Sequence, residues 1–171
     1  MVWLLTVLRL FHILAGVFWA GSAISLIGFI EPAARKTGSA GATFFQGLWQ
    51  HTRMLFFMNM SSLLTALTGV VLYTLVSNGN PLAYIGTGIG MGFTLGSAAG
   101  LIEFFNGILV MGPTSAKISA LGAQMQTAGG PPTQVQVTEM ATLQERLNRG
   151  GKHGAVLLVL AVIGMAVARY L

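Results

Sequence analysis

The sequence contains no cysteine and no aspartate, and charged residues make up only 8% of it. Each shortage excludes something. Without Cys there are no disulfides, thiolate metal sites or Cys nucleophiles. No Ser-His-Asp set, Walker loop, dinucleotide fingerprint or zinc spacing occurs. A soluble domain carries about 25% charged residues. This chain sets its 8% against 54% hydrophobic residues, a composition that belongs in lipid. Its formal charge of +5 does not indicate nucleic-acid binding, because the basic residues flank apolar runs. There they act as topology signals.

Four segments are long or nearly long enough to cross a hydrocarbon layer of about 30 Å, which takes about 20 apolar residues. They are Val2–Ile30, ended by Glu31-Pro32; Met54–Val76, ended by Ser77-Asn78-Gly79-Asn80-Pro81; Leu82–Met111, ended by Gly112-Pro113; and Gly154–Leu171. The first has no basic leader and is interrupted by Arg9 and His12, so it reads as a retained helix rather than a secretory signal. The chain is expected to be a single integral membrane domain over 1–171. Arg35, Lys36, Arg53, Lys117, Arg146, Arg149 and Lys152 fall on one side of the four spans, and only Arg9 and Arg169 on the other. The positive-inside rule then places both termini outside and both long loops in the cytoplasm. Trp3, Tyr73, Tyr84 and Tyr170 at the outer ends, with Trp49 at an inner one, fit interfacial aromatic belts. Short outer connections predict an all-α fold, a four-transmembrane-helix antiparallel bundle.

Between the third and fourth spans, over 113–150, the sequence predicts a cytoplasmic helical hairpin on the inner membrane surface. Ile118, Leu121 and Met125 repeat at helical spacing, and Gly129-Gly130-Pro131-Pro132 breaks the chain. Thr133 and Gln136 then form a capping-box pattern ahead of a stripe of Met140, Leu143 and Leu147. Connecting two spans is its expected role, with partner docking as the alternative.

His12 is the residue that most needs explaining. An ionisable side chain inside a transmembrane helix is costly and calls for a partner or a function. At about 100° per residue, Arg9, His12, Gly16, Trp19 and Ala23 share one face of the first helix. Such a face could hold haem b, with His12 as axial ligand, Gly16 giving clearance and Arg9 pairing a propionate. The plainer reading is a hydrogen bond from His12 to a Ser, Thr or carbonyl on a neighbouring helix, with Arg9 snorkelling outward. At about 1.5 Å per residue, the depth of His12 corresponds to Leu67 and Thr68 on the second span, Met91 on the third and Val162 on the fourth, with Met165 shallower. His51 and His153 fall at the opposite edge and read as solvated interfacial residues.

The third span carries Gly88, Gly92, Gly96 and Gly100 at every fourth position, a ladder that admits close helix approach. Glu103 projects from nearly the same face. It is expected to form an ion pair or hydrogen bond, with Arg53 or His51 as candidate partners, or to join a polar relay with Asn59 and Asn106. Met54, Met58 and Met60 are available as soft copper ligands but read as fillers of apolar gaps.

Several stretches carry a resemblance: Leu8 to Trp19, Leu64-Thr65 with Gly69 and Leu72-Tyr73, Gly112-Pro113-Thr114, Ala128 to Pro132, and Met165 to Tyr170. Over nearly its whole length the chain resembles a group of bacterial four-helix membrane proteins of uncharacterised function, which implies a bacterial inner-membrane location. More distantly, His12 followed by Trp19 looks like the opening helix of the copper-resistance D family and of the haem-binding protoporphyrinogen oxidase of bacteria, often called HemJ. That resemblance implies haem or metal. The oxidase family also depends on a Lys within a later helix, and no span read here contains Lys.

Three functions follow from these readings. The first is a small redox-type membrane protein, or a subunit of a membrane redox complex, binding haem b through His12. The second is a non-catalytic structural or assembly subunit, packing against other membrane chains or a second copy of itself. The third is a transporter for copper, protons or another small ion. The lipid bilayer is the expected partner in all three, and none involves nucleic acid or clear catalytic activity of the chain's own.

Overall fold

In lipid no water satisfies backbone N–H and C=O groups, so an uninterrupted apolar run must satisfy them within itself, as a helix. The computed structural model describes residues 2–171, and every regular element among them is helical. Four helical stretches are long and apolar enough to cross a membrane: Val2–Lys36, Met54–Val76, Gly88–Thr127 and Gln134–Tyr170. The first is built from α1 (Val2–Ser25), a π-helical turn (Leu26–Ile30) and α2 (Glu31–Lys36). Then come α3 (Ser39–His51), α4 (Met54–Val76) and the short α5 (Pro81–Ile85). The third stretch joins α6 (Gly88–Asn106), a second π-helical turn (Gly107–Met111) and α7 (Gly112–Thr127). The fourth is α8 (Gln134–Val167), finished by a 3₁₀ turn over Ala168–Tyr170.

The two prolines expected to end spans do not end them. Pro32 and Pro113 each sit in the first turn of a new helical segment, where a missing N–H costs nothing. Immediately before each, the backbone widens into a π turn: Glu31 N–H donates to Leu26 O, and Gly112 N–H donates to Gly107 O. The wider turn re-pairs the backbone around the proline ring, so the helix continues. The first stretch therefore reaches Lys36 rather than Ile30, and the third reaches Thr127 rather than Met111.

The region 113–150 is correspondingly not a separate unit. Its first half is α7, continuous with α6, and its second half belongs to α8. At 34 residues, α8 is about 50 Å long, well beyond a hydrocarbon layer of about 30 Å. Lys152, placed by the sequence just outside the fourth span, lies within this continuous helix. The capping box is formed at its start: Thr133 Oγ1 accepts from Gln136 N–H at 3.3 Å, and Gln136 Oε1 accepts from Thr133 N–H at 2.9 Å.

The third span starts later than its hydropathy implies. Leu82 to Ile85 belong to α5, capped by Asn80, and α6 opens after Thr87, whose Oγ1 accepts from Gly90 N–H at 2.9 Å. Helix α3 is the element the sequence reading missed. Gly38, with φ 61°, turns the chain back so that the Ala34 carbonyl lies where a Cβ on Gly41 would stand. Phe45 and Trp49 stack one turn apart on α3, with ring centroids 5.9 Å apart.

The helices associate as two tight pairs, α1 with α4 and α6 with α8. Between the pairs, Trp19 and Ala20 of α1 cluster with Leu158 of α8, while Ile27 meets Gly151. Progress toward the N-terminus on α1 therefore matches progress toward the C-terminus on α8. Large apolar side chains such as Phe11, Leu14, Leu67, Leu95 and Leu160 face outward, as lipid contact permits.

The α6–α8 pair rests on the glycine ladder. A Cβ on Gly96 would stand 3.1 Å from Ala161 O and 3.1 Å from Met165 N, and one on Gly164 would stand 2.8 Å from Gly96 Cα. Backbone meets backbone at this crossing. Gly92 approaches Ala168 in the same way, a Cβ there lying 2.8 Å from its Cα. Gly88 meets the Leu171 carbonyl, and Gly100 has ordinary room, 3.8 Å from Ala161 Cβ.

Candidate functional site

His12 projects from α1 against α4. Its Nδ1 lies 3.0 Å from Thr65 O and 3.2 Å from Thr68 Oγ1. A carbonyl oxygen only accepts, so Nδ1 carries the hydrogen. The hydroxyl agrees, because Thr68 Oγ1 already donates to Leu64 O at 2.6 Å and so accepts from the ring. In the neutral imidazole this leaves Nε2 with its lone pair, and no hydrogen bond to Nε2 is formed among the described residues. The level of Thr68 on the second span is the one that depth arithmetic assigns to His12.

The space for the ring comes from α4. A Cβ on Gly69 would stand 2.9 Å from His12 Cε1, whereas one on Gly16 would meet only the Thr65 side chain, at 3.6 Å from Cγ2 and 3.9 Å from Oγ1. Clearance beside the imidazole is thus a property of Gly69, and Gly16 serves the α1–α4 contact.

Between the two helix pairs lies a cavity of about 670 Å³. That volume falls within the range of small-molecule and cofactor sites, about 300–1,000 Å³. Its walls are overwhelmingly apolar. His12, Gly16 and Trp19 line it from α1, Thr65 and Gly69 from α4, Gly96 and Ser97 from α6, and Leu158 and Met165 from α8. Trp19, only 8% exposed, clusters with Ala20 and Leu158 at the α1–α8 contact, and all three line the cavity. Toward α5, Tyr73 and Thr94 line it and bond each other, Tyr73 Oη to Thr94 Oγ1 at 2.6 Å. Thr94 Oγ1 donates to Gly90 O, so Tyr73 is the donor and its own oxygen keeps free lone pairs.

Arg9 does not line this cavity and is exposed. It stands near Tyr84 of α5. Burial raises the pKa of that phenol, Tyr73 adds to the rise, and the Arg9 charge opposes both. Pro81 and Ile85 of the same helix line the cavity, which places Arg9 beside its rim rather than on its wall.

Glu103 occupies a second polar site, on the α6–α8 seam. It is 6% exposed, and its Oε2 accepts from Asn106 Nδ2 at 2.8 Å. Asn106 Nδ2 also reaches Gly150 O, at 3.2 Å. The carboxylate lies flat on Gly154, filling the place of the missing side chain. The expected pairing with Arg53 is not formed. Arg53, His51 and Asn59 are all exposed, and the ion pairs among the described residues are Arg35–Glu31 and Arg149–Glu145. The difference is one of facing: α6 turns its Glu103 side to α8, while Asn59 belongs to α4, Arg53 to the turn before it and His51 to the end of α3. We expect Gly154→Ala to cost about 1–3 kcal/mol through overpacking. That loss should largely disappear in a Glu103→Ala background, as thermal unfolding in detergent micelles would measure.

His51 and His153 are both exposed, and no group of three or more His, Cys, Asp or Glu side chains suited to a metal ion occurs among the described residues. Of the residues singled out from the sequence, His12, Gly16 and Trp19 meet at one cavity, and Gly96 and Gly100 line its far wall. Gly69, quoted from the sequence for another reason, and Met165, which depth counting had set shallower than His12, join them because the helices are brought together. No family model, curated protein or solved structure matches the chain.

Proposed function

We propose that this protein is a multi-pass inner-membrane protein that binds haem b in the cavity between its helix pairs, with His12 as axial ligand. Its spans form an antiparallel bundle with both termini outside, and it serves as a small redox protein or a redox-complex subunit without catalytic activity of its own. The observation that carries this reading is the hydrogen bonding of His12. Metal-ligating histidines donate their second ring N–H to a carbonyl or carboxylate, which fixes the tautomer and raises ligand basicity. Thr65 O accepts that bond here, and Nε2 is left as a lone-pair donor at a cavity wall. Haem supplies one-electron chemistry when bound. The chain's part is to hold Nε2 deprotonated, to exclude water with apolar walls, and to offer the Arg9 charge at the rim to a propionate.

The test is the absorption spectrum of the full chain, purified from cells supplied with haem. A haem spectrum at close to one equivalent per chain is expected, and a colourless protein that takes up no added haem overturns the reading. Two glycine variants probe the local geometry. Gly69→Ala pushes into the imidazole and is expected to weaken haem binding about 10-fold, the lower end of effects seen when ligand-orienting groups are disturbed. Gly16→Ala, with ordinary van der Waals room against Thr65 and no contact with the imidazole, should weaken haem binding less than Gly69→Ala.

A further inference from the structure

The cavity has a second soft donor at the level of His12. Trp19 and Leu158 belong to one buried cluster, and eight residues further along α1 Ile27 meets Gly151, so the α1–α8 register is known. Seven residues from Trp19 toward the N-terminus is His12, and seven residues from Leu158 toward the C-terminus is Met165. Seven residues are about two helical turns, so each residue returns to the face of its partner in the cluster, about 10 Å further along the axis. Both helices are regular α-helix over these intervals. His12 and Met165 thus stand level on opposite helices, and both line the cavity. The apparent shallowness of Met165 in the sequence came from counting depth down from Leu171, whereas the register between the helices is set by the Trp19–Leu158 and Ile27–Gly151 contacts.

A methionine in an apolar cavity ordinarily fills space. This one lies where the walls leave about 670 Å³ open. The α6–α8 crossing also fixes its backbone, because Met165 N packs against Gly96. A thioether is a haem ligand in its own right, and His/Met coordination raises the reduction potential.

We propose that Met165 is the second axial ligand, so that the cavity holds a six-coordinate His12/Met165 haem; this rests on the His12 reading above. The test uses the full chain loaded with haem in detergent micelles. The parent should give a low-spin ferric spectrum with the weak far-red band of thioether-to-iron charge transfer. Met165→Leu should lose that band, turn high-spin, and bind carbon monoxide at least tenfold more tightly when reduced. Met165→His should stay low-spin without the band and show a lower potential, an outcome that a merely space-filling residue would not produce. If both variants keep the parent spectrum, or if the parent itself is five-coordinate, Met165 is not the ligand while His12 stands. A parent that takes up no haem overturns both.

Discussion

Replacing His12 with alanine is expected to reduce haem affinity by at least about 100-fold, or about 2.7 kcal/mol, in titrations followed by absorption. The variant should still fold, and the reason lies on α4. Thr68 Oγ1 keeps its bond to Leu64 O, and Thr65 O is a helix carbonyl, so removing the imidazole strands no hydroxyl. The cost to the fold is one interhelical hydrogen bond, about 0.6–2 kcal/mol in a membrane. The ring already borders a cavity, so its loss enlarges existing space rather than opening a new void in a packed core. Loss of colour together with only a small drop in the unfolding temperature, compared between haem-free proteins, would therefore report ligation. A His12→Ala protein that keeps the parent spectrum would move the ligand elsewhere. Thr68→Val should lie between the two, since it removes only the longer of the two contacts to Nδ1.

The second large effect is expected at the crossing of α6 and α8. Gly164→Ala sets a methyl 2.8 Å from Gly96 Cα and 2.9 Å from Gly96 N. These are backbone atoms, which cannot rotate away as a side-chain end can, so the helices must separate. Overpacking of this kind costs about 1–3 kcal/mol, and Gly164→Val should cost more. Gly96→Ala, facing Ala161 O and Met165 N, should behave like Gly164→Ala. Gly100→Ala provides the contrast within the same ladder. Its Cβ has ordinary room, and alanine favours a helix over glycine by up to about 1 kcal/mol, so the expected change has the opposite sign. Unfolding in detergent micelles would measure all four. Equal destabilisation by Gly100→Ala and Gly164→Ala would mean that the crossing lies elsewhere. Because Gly96, Ala161 and Met165 also line the cavity, forcing this pair apart should weaken haem binding as well.

Much of the helical plan was legible because hydropathy and the backbone's need for partners act locally. Met54–Val76 reads directly as a helix, with the same bounds in the structure. The Thr133–Gln136 cap spans only four residues and is likewise visible in the sequence. Proline misled at Pro32 and Pro113, because its effect depends on whether the preceding turn can widen. Helix α3 escaped because 13 residues are too few to span a membrane, although Phe44, Phe45, Leu48 and Trp49 recur at helical spacing. Leu82 to Ile85 were assigned to the third span on hydropathy, yet the Thr87 cap starts that helix afresh at Gly88.

At the site the division is sharper. The sequence by itself determined that this is a chain for lipid, that His12 shares a helix face with Gly16 and Trp19, and that a glycine ladder marks a packing surface. Composition decides the first, and the fixed rise and rotation of one helix decide the other two. Only the tertiary structure decided what each face meets. It put Thr65 O on His12 Nδ1, gave the ladder to α8 rather than α1, laid Glu103 on Gly154 away from Arg53, and brought Met165 and His12 to one cavity. These pairings depend on the register and rotation between helices. Lipid contributes no hydrophobic drive to select them, so they are settled by close packing of small residues and by a few hydrogen bonds. Packing of that kind joins residues far apart in sequence, and no periodicity within one helix records it.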